Sequence, residues 1–278
     1  MKTVKAVSLL ALLAVLIGGL SASPALAQEY KEAYNAAIEA AQGQDYATAH
    51  GEFARAAELA AQEGDSEIAQ RAARNAAIID YNLGKQLVEN ENYQEAVERF
   101  DSGIEIFPQY ANNYLGKARA LKGLDQPEDV IAAYQELITF GEENNNADAL
   151  RQGQAGLRDY YVFLASSALG RRAEPAASDA REALEYLDEL EQQLEPDADT
   201  YFYRAVAHNA LGNYDEAIAL TDQALEVHRG SRTDAAKIHF IRGEALMYSG
   251  ETAAAKESFQ NATYGNYKSL AEHYIETL

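Results

Sequence analysis

Cysteine and tryptophan are absent from the 278 residues, methionine occurs twice and proline five times. Without a thiol there is no disulfide framework, iron–sulfur cluster, thiolate zinc site or lipid-modified cysteine. Positive charge is also scarce: 23 Lys and Arg face 44 Asp and Glu, a formal charge of −21. That balance excludes the usual nucleic-acid binder, which needs basic surface to displace counterions from phosphates. No nucleic-acid partner is therefore expected. What the chain does have is material for a core. Its residues are 47% hydrophobic and include 18 Tyr, well above the range of disordered chains.

Only the first 27 residues hold a long apolar run. Lys2 and Lys5 open it with positive charge, Val7 to Leu20 are apolar, and Ala25-Leu26-Ala27 makes a small-x-small site. This is the layout of a bacterial-type secretory signal peptide, with cleavage expected after Ala27. A helix that stays in a membrane needs about 18 or more apolar residues, and Ser21, Ser23 and Pro24 interrupt this one. The expected product is residues 28–278, exported to the periplasm or the medium, with no stable membrane insertion.

The rest of the chain repeats itself. A turn phrase followed by spaced small, aromatic and small residues occurs at Gln44-Asp45-Tyr46 with Ala49, Phe53 and Ala56. It recurs at Glu91-Asn92-Tyr93 with Ala96, Phe100 and Gly103, and at Asp125-Gln126-Pro127 with Val130, Tyr134 and Leu137. Two later copies are Gly212-Asn213-Tyr214 with Ala217, Thr221 and Ala224, and Gly250-Glu251-Thr252 with Ala255, Phe259 and Ala262. Upstream of each turn sits a small residue: Ala37, Gly84, Ala118, Ala205 or Gly243. Offsets of four and three place the second series on one helix face. The small slot marks a close crossing of two helices. Each unit therefore reads as an antiparallel pair of helices, and no sustained strand alternation is present.

This pattern is similar to the tetratricopeptide repeat (TPR), a helix–turn–helix unit of about 34 residues. The resemblance covers most of residues 28–278, with units near 30–63, 77–110, 111–144, 198–231 and 236–267. A degenerate unit over 150–195 has Ala165, Ala177 and Leu184 in its small and apolar slots and Arg181 where an aromatic belongs. The tryptophan slot of the family holds Ala33, Asp80, Tyr114, Tyr201 and His239 instead. An additional helical run over 66–76 leads into the second unit. Residues 268–278, with Leu270, Tyr274 and Leu278 at four-residue steps, read as the capping helix that ends a solenoid. The implied fold is an all-α, right-handed TPR solenoid of about six helical hairpins plus that cap.

Few residues suggest chemistry. The five histidines, His50, His208, His228, His239 and His273, include no pair at the i, i+4 spacing of a helical metal site. Glu142-Glu143 and Asp197-x-Asp199 lack the glycine and terminal glutamate of a calcium loop. No phosphate-cradling loop or nucleophile elbow is present. No cofactor, metal or catalytic residue is expected. Glu257-Ser258 resembles the Glu-Ser of exported lytic transglycosylases, whose glutamate acts as a general acid. Against that, Phe259 fills the repeat's aromatic slot, and the Gly-Leu-Met-Gln stretch of that family is missing.

The resemblance implies a groove lined by the first helix of each hairpin, at the residue after the tryptophan slot and then four and seven positions on. By register these are Tyr81, Lys85 and Val88; Leu115, Arg119 and Lys122; Phe202, Val206 and Asn209; and Phe240, Glu244 and Met247. Lys85, Arg119 and Lys122 would form a basic spot suited to a carboxylate. Phe202, Phe240 and Met247 would form an apolar one suited to a hydrophobic side chain. The acidity fits either a basic partner or the solubility of an exported protein. The function expected is an exported scaffold, not an enzyme, that binds a peptide or protein segment of the cell envelope in its groove. The competing readings are an envelope-polymer enzyme or accessory using Glu257, and a small-ligand carrier.

Overall fold

The computed structural model describes residues 24–172 and 174–278, which form thirteen α-helices, one 3-10 turn and no strand. The expected leader, residues 1–27, lies outside the described residues except for its last four, which open the first helix. Contacts divide the chain after Asn113 into two units.

The first unit holds α1 (Pro24–Gln42), α2 (Tyr46–Gln62), α3 (Ser66–Glu89) and α4 (Tyr93–Ile106). Each helix packs on the next. The run over 66–76 and the unit expected from 77 share one uninterrupted helix, because no Gly or Pro breaks 66–83 and Ala72, Ala73, Ala76 and Ala77 are all buried. The second unit holds most of α5 (Asn112–Gly123), then α6 (Pro127–Glu143), α7 (Ala147–Leu169) and α8 (Ala177–Glu191). It continues with α9 (Ala198–Ala210), α10 (Tyr214–Val227), α11 (Arg232–Ser249), α12 (Thr252–Asn261), a 3-10 turn (Gly265–Tyr267) and α13 (Lys268–Thr277). From α6 onward each helix packs on its successor, and α7 also touches α9, which touches α11. Within the second unit these three first helices of successive hairpins thus stand side by side as one wall.

Local chemistry explains where the helices start and stop. Asp45, Asp65, Asn146 and Asp197 each accept a hydrogen bond from the backbone N–H three residues on, satisfying an otherwise orphaned donor of the first turn. Ser231 and Asp234 form a reciprocal capping box at the start of α11. Each tight connection places one residue in the left-handed region, at φ values from 52° to 91°. Gly64, Gly212 and Gly250 occupy it without strain, whereas Gln44, Glu91, Asp125 and Asn145 occupy it with a Cβ to accommodate.

The small slots do what the spacing asks of them. A Cβ on Gly84 would lie 2.7 Å from the Phe100 ring, and one on Gly243 would lie 2.7 Å from the Phe259 ring. In both hairpins the glycine and the ring it receives are sixteen residues apart, as are Ala37 and Phe53. Phe53, Phe100 and Phe259 are all buried. In the α7–α8 hairpin the longer connection over 170–176 shifts the register. Ala180, Ala183 and Leu187 enter the core there and Arg181 is exposed.

Two slots differ from their apolar expectation. Asp80, in the tryptophan slot of α3, is fully buried. The Ser102 hydroxyl donates to its Oδ2 at 2.8 Å, His50 Nε2 lies 2.9 Å from the same oxygen, and the Arg99 guanidinium is 3.5 Å from Oδ1. Three polar partners thus replace the apolar contacts of an aromatic ring, the condition for burying a carboxylate. In α13 the buried residue is Ala271, while Leu270 is 53% exposed. Tyr274 and Leu278 do pack inward, against the cluster that holds Phe240 and Phe259.

Candidate functional site

The candidate residues fall in different surroundings. In the first unit, Tyr81 is half-buried, with its ring 5.8 Å from Tyr110 and 6.2 Å from Phe100. Lys85 is exposed and its ammonium lies 3.8 Å from Glu89 on the same helix, while Val88 is buried. In the second unit, Leu115 is half-buried and Arg119 exposed on α5. Lys122 sits 3.5 Å above the Phe163 ring and 5.8 Å from Tyr160. The expected basic spot is therefore partly used within the chain. Lys85 has a carboxylate beside it and Lys122 lies over an aromatic face, a favourable cation–π arrangement.

The expected apolar spot is corrected more sharply. Phe202 and Phe240 are each only 5% exposed and belong to the core. Phe240 is covered by Tyr267 at 5.1 Å, Phe259 at 5.6 Å and Tyr274 at 6.0 Å between ring centres. The 3-10 turn and α13 fold over the end of the wall and close what register alone left open. Phe202 is flanked by Tyr203, with ring centres 4.9 Å apart, and by the Lys237 ammonium at 4.8 Å. Met247, the third member, is half-buried and packs against the same cluster.

Val206 and Asn209 on α9, with Glu244 and Met247 on α11, are half-buried on two helices that pack together. Asn209 Oδ1 is buried without a hydrogen-bond partner among the described residues. Glu244 is the more telling group. Burial pushes its carboxyl up to about 7 from the usual 4.5, and no hydrogen bond or neighbouring cation offsets that. Its charge in turn helps raise the phenols of Tyr248 and Tyr274, both lifted mainly by their own burial. Tyr248 stands 57% exposed one turn beyond Glu244, its ring stacked on Tyr214 at 5.4 Å.

Other candidate chemistry does not converge. Glu257 is exposed on α12, and the neighbouring Ser258 hydroxyl is buried and accepts from Arg242 at 2.8 Å. A general acid for glycan cleavage needs a carboxyl desolvated beside its substrate, and this one faces water. His208 and His239 are half-buried, and burial lowers the pKa of both rings. Among the described residues no three His, Asp or Glu side chains are placed to hold a metal.

Register missed Tyr248, Tyr267, Tyr274 and the Lys237–Asp199 pair. Tyr248 was within reach of it, four residues after Glu244 on a helix. The other contacts join residues more than 20 positions apart, between α11 and the C-terminal segment and between α9 and α11, and no helical period reports them.

No protein-family model matches the chain and no curated protein matches it. Several solved structures are distantly similar. One is YrrB, described as a TPR protein with an unusual peptide-binding site, at 18% identity over 73% of this chain and 92% of that one, with a TM-score of 0.42. A TPR-repeat protein of Bacteroides fragilis has 16% identity over 90% and 99%, with a TM-score of 0.40. A TPR protein of Thermus thermophilus has 20% identity over 72% and 97%, with a TM-score of 0.35. At such distance the assignment of helical hairpin repeats stands on the helix order and on the glycine–phenylalanine crossings of this chain itself.

Proposed function

We propose that this chain is an exported scaffold without catalytic activity, and that it binds a segment of another cell-envelope protein along the wall formed by the first helices of its hairpins. The observation that carries this reading is the direct packing of α7 on α9 and of α9 on α11. It leaves Val206, Asn209, Glu244 and Met247 half-buried on adjoining helices. A surface of partly covered apolar and polar side chains gains by completing its burial against a partner, and a few such anchors carry most of the binding energy. Export rests on Lys2, Lys5, the Val7 to Leu20 run and the Ala25-Leu26-Ala27 site. Cleavage after Ala27 would leave Tyr30 in place, whose hydroxyl donates to Asp65 at 2.7 Å.

The test is affinity capture from an envelope extract with residues 28–278 and with Met247→Glu. The unsubstituted chain should recover a reproducible set of proteins, and the variant should lose them while keeping its helical circular dichroism and melting profile. Equal recovery by a folded variant would refute the wall as the binding surface. A Lys85/Arg119/Lys122 triple alanine variant tests the basic spot separately, since its side chains lie away from Met247 in sequence and are partly engaged already.

A further inference from the structure

Helix α11 already contains one cation held by the chain itself. The Lys237 ammonium lies 2.6 Å from the Asp199 carboxylate, 4.8 Å from the Phe202 ring centre and 6.0 Å from that of Tyr203. A carboxylate supplies the opposite charge there, and ring faces supply the electron-rich surface that attracts an ammonium or guanidinium. Two helical turns further along lies Glu244, half-buried on the same helix. Phe240 precedes it by one turn and Tyr248 follows by one turn. Tyr267 and Tyr274 close on Phe240 from the C-terminal segment, and the phenols of Tyr248, Tyr267 and Tyr274 all sense the Glu244 charge. The carboxylate and the rings are present, and among the described residues no Lys, Arg or His pairs with Glu244.

Resting on the scaffold reading above, we infer that the wall receives a lysine or arginine side chain of the bound segment at Glu244, flanked by Tyr248 and the C-terminal tyrosines. A partly desolvated carboxylate without a cationic partner is unfavourable in the free chain, and an incoming cation relieves it. The formal charge of −21 draws basic segments toward the surface before contact. The partner is thus defined by chemistry as a basic segment, its cation set beside the apolar contacts that Val206 and Met247 offer.

The test uses residues 28–278 and three small probes: the N-acetyl methylamides of lysine, arginine and norleucine. Binding is read from amide shifts of residues 240–250 and 264–275 by nuclear magnetic resonance. The cationic probes should bind at least tenfold more tightly than the norleucine probe. Saturation with the lysine probe should lower the titration midpoint of the Glu244 carboxyl carbon, and the norleucine probe should not. Glu244→Gln, with its fold checked by circular dichroism, should bring all three probes to one weak level. Equal affinity for lysine and norleucine, or a cation preference that survives Glu244→Gln, overturns the site.

Envelope capture separates this from the scaffold reading. If the folded Glu244→Gln variant recovers the same proteins as the unsubstituted chain, the cation site falls and the scaffold stands. If the lysine probe binds through Glu244 but envelope extract yields no protein, the site stands and the scaffold reading falls.

Discussion

Replacing Glu244 by glutamine removes a charge that the folded chain holds at a loss, so the variant should be the more stable protein at pH 8. The folded carboxyl titrates at about 7 and an exposed one at 4.5. Each pH unit between those values is worth about 1.36 kcal/mol, so the full penalty of ionising Glu244 in place is about 3 kcal/mol. The sign follows from proton binding. Between pH 4.5 and 7 the folded state binds more protons than the unfolded state, so stability falls as pH rises through that window. Below it both states are protonated and nothing is lost; above it the penalty is complete. Tyr248, Tyr267 and Tyr274, which sense this charge, all have raised pKa values and stay neutral across the range. His208 and His239 titrate alike in both proteins and cancel. Glu244→Gln should therefore match the parent at pH 4.5 and exceed it by about 2–3 kcal/mol at pH 8. Repeat arrays can open piecewise, so hydrogen exchange of α11 and α12 amides is the sharper assay, with urea unfolding beside it. Parallel pH profiles for the two proteins would refute the claim that Glu244 is half-buried without a cationic partner.

Other substitutions test the frame that holds this site. Gly243→Ala puts a methyl carbon 2.7 Å from the Phe259 ring, and overpacking of this kind should cost about 1–3 kcal/mol, read as a lower melting temperature. An unchanged melt would mean the α11–α12 crossing is looser than described. Glu91→Gly relieves a side chain at φ 61° and should stabilise the chain by about 1 kcal/mol; a destabilised variant in urea unfolding would count against strain at that turn. The amino terminus of protein recovered from an exporting bacterial host should be Gln28, by mass spectrometry, and recovery of the full 278 residues alone would refute export.

Much of the fold was legible because its rules are local. The period between Phe53, Phe100 and Phe259 and their small partners could be read directly, since one helix crossing needs one small residue and one ring at fixed separation. The turns were visible too, although Gln44, Glu91 and Asp125 show that this chain fills a left-handed position with side chains other than glycine. The α7–α8 hairpin was harder. There a longer connection moves the core to Ala180, Ala183 and Leu187, and a register counted from neighbouring units points at Arg181 instead. Asp80 shows a different limit. Its slot predicts an apolar side chain, and the reason a carboxylate can sit there lies in His50, Arg99 and Ser102, on helices before and after it.

The candidate surface was legible by position and illegible by exposure. Register put Phe202, Val206, Asn209, Phe240, Glu244 and Met247 on α9 and α11, yet it could not show what the 3-10 turn and α13 cover. Tyr267 and Tyr274 cover Phe240 and withdraw it from the surface. The same two tyrosines lie within reach of the Glu244 charge. Tyr274 also stacks on Phe259 at 4.7 Å, so the ring that packs on the last hairpin is also one that senses the Glu244 charge. Cap and site therefore depend on one another. A chain shortened after Ala262 would lose both tyrosines and uncover Phe240 on that side. On the cation-site proposal, that chain would also lose two of the rings set to flank a cation at Glu244, even with every residue of α11 still in place.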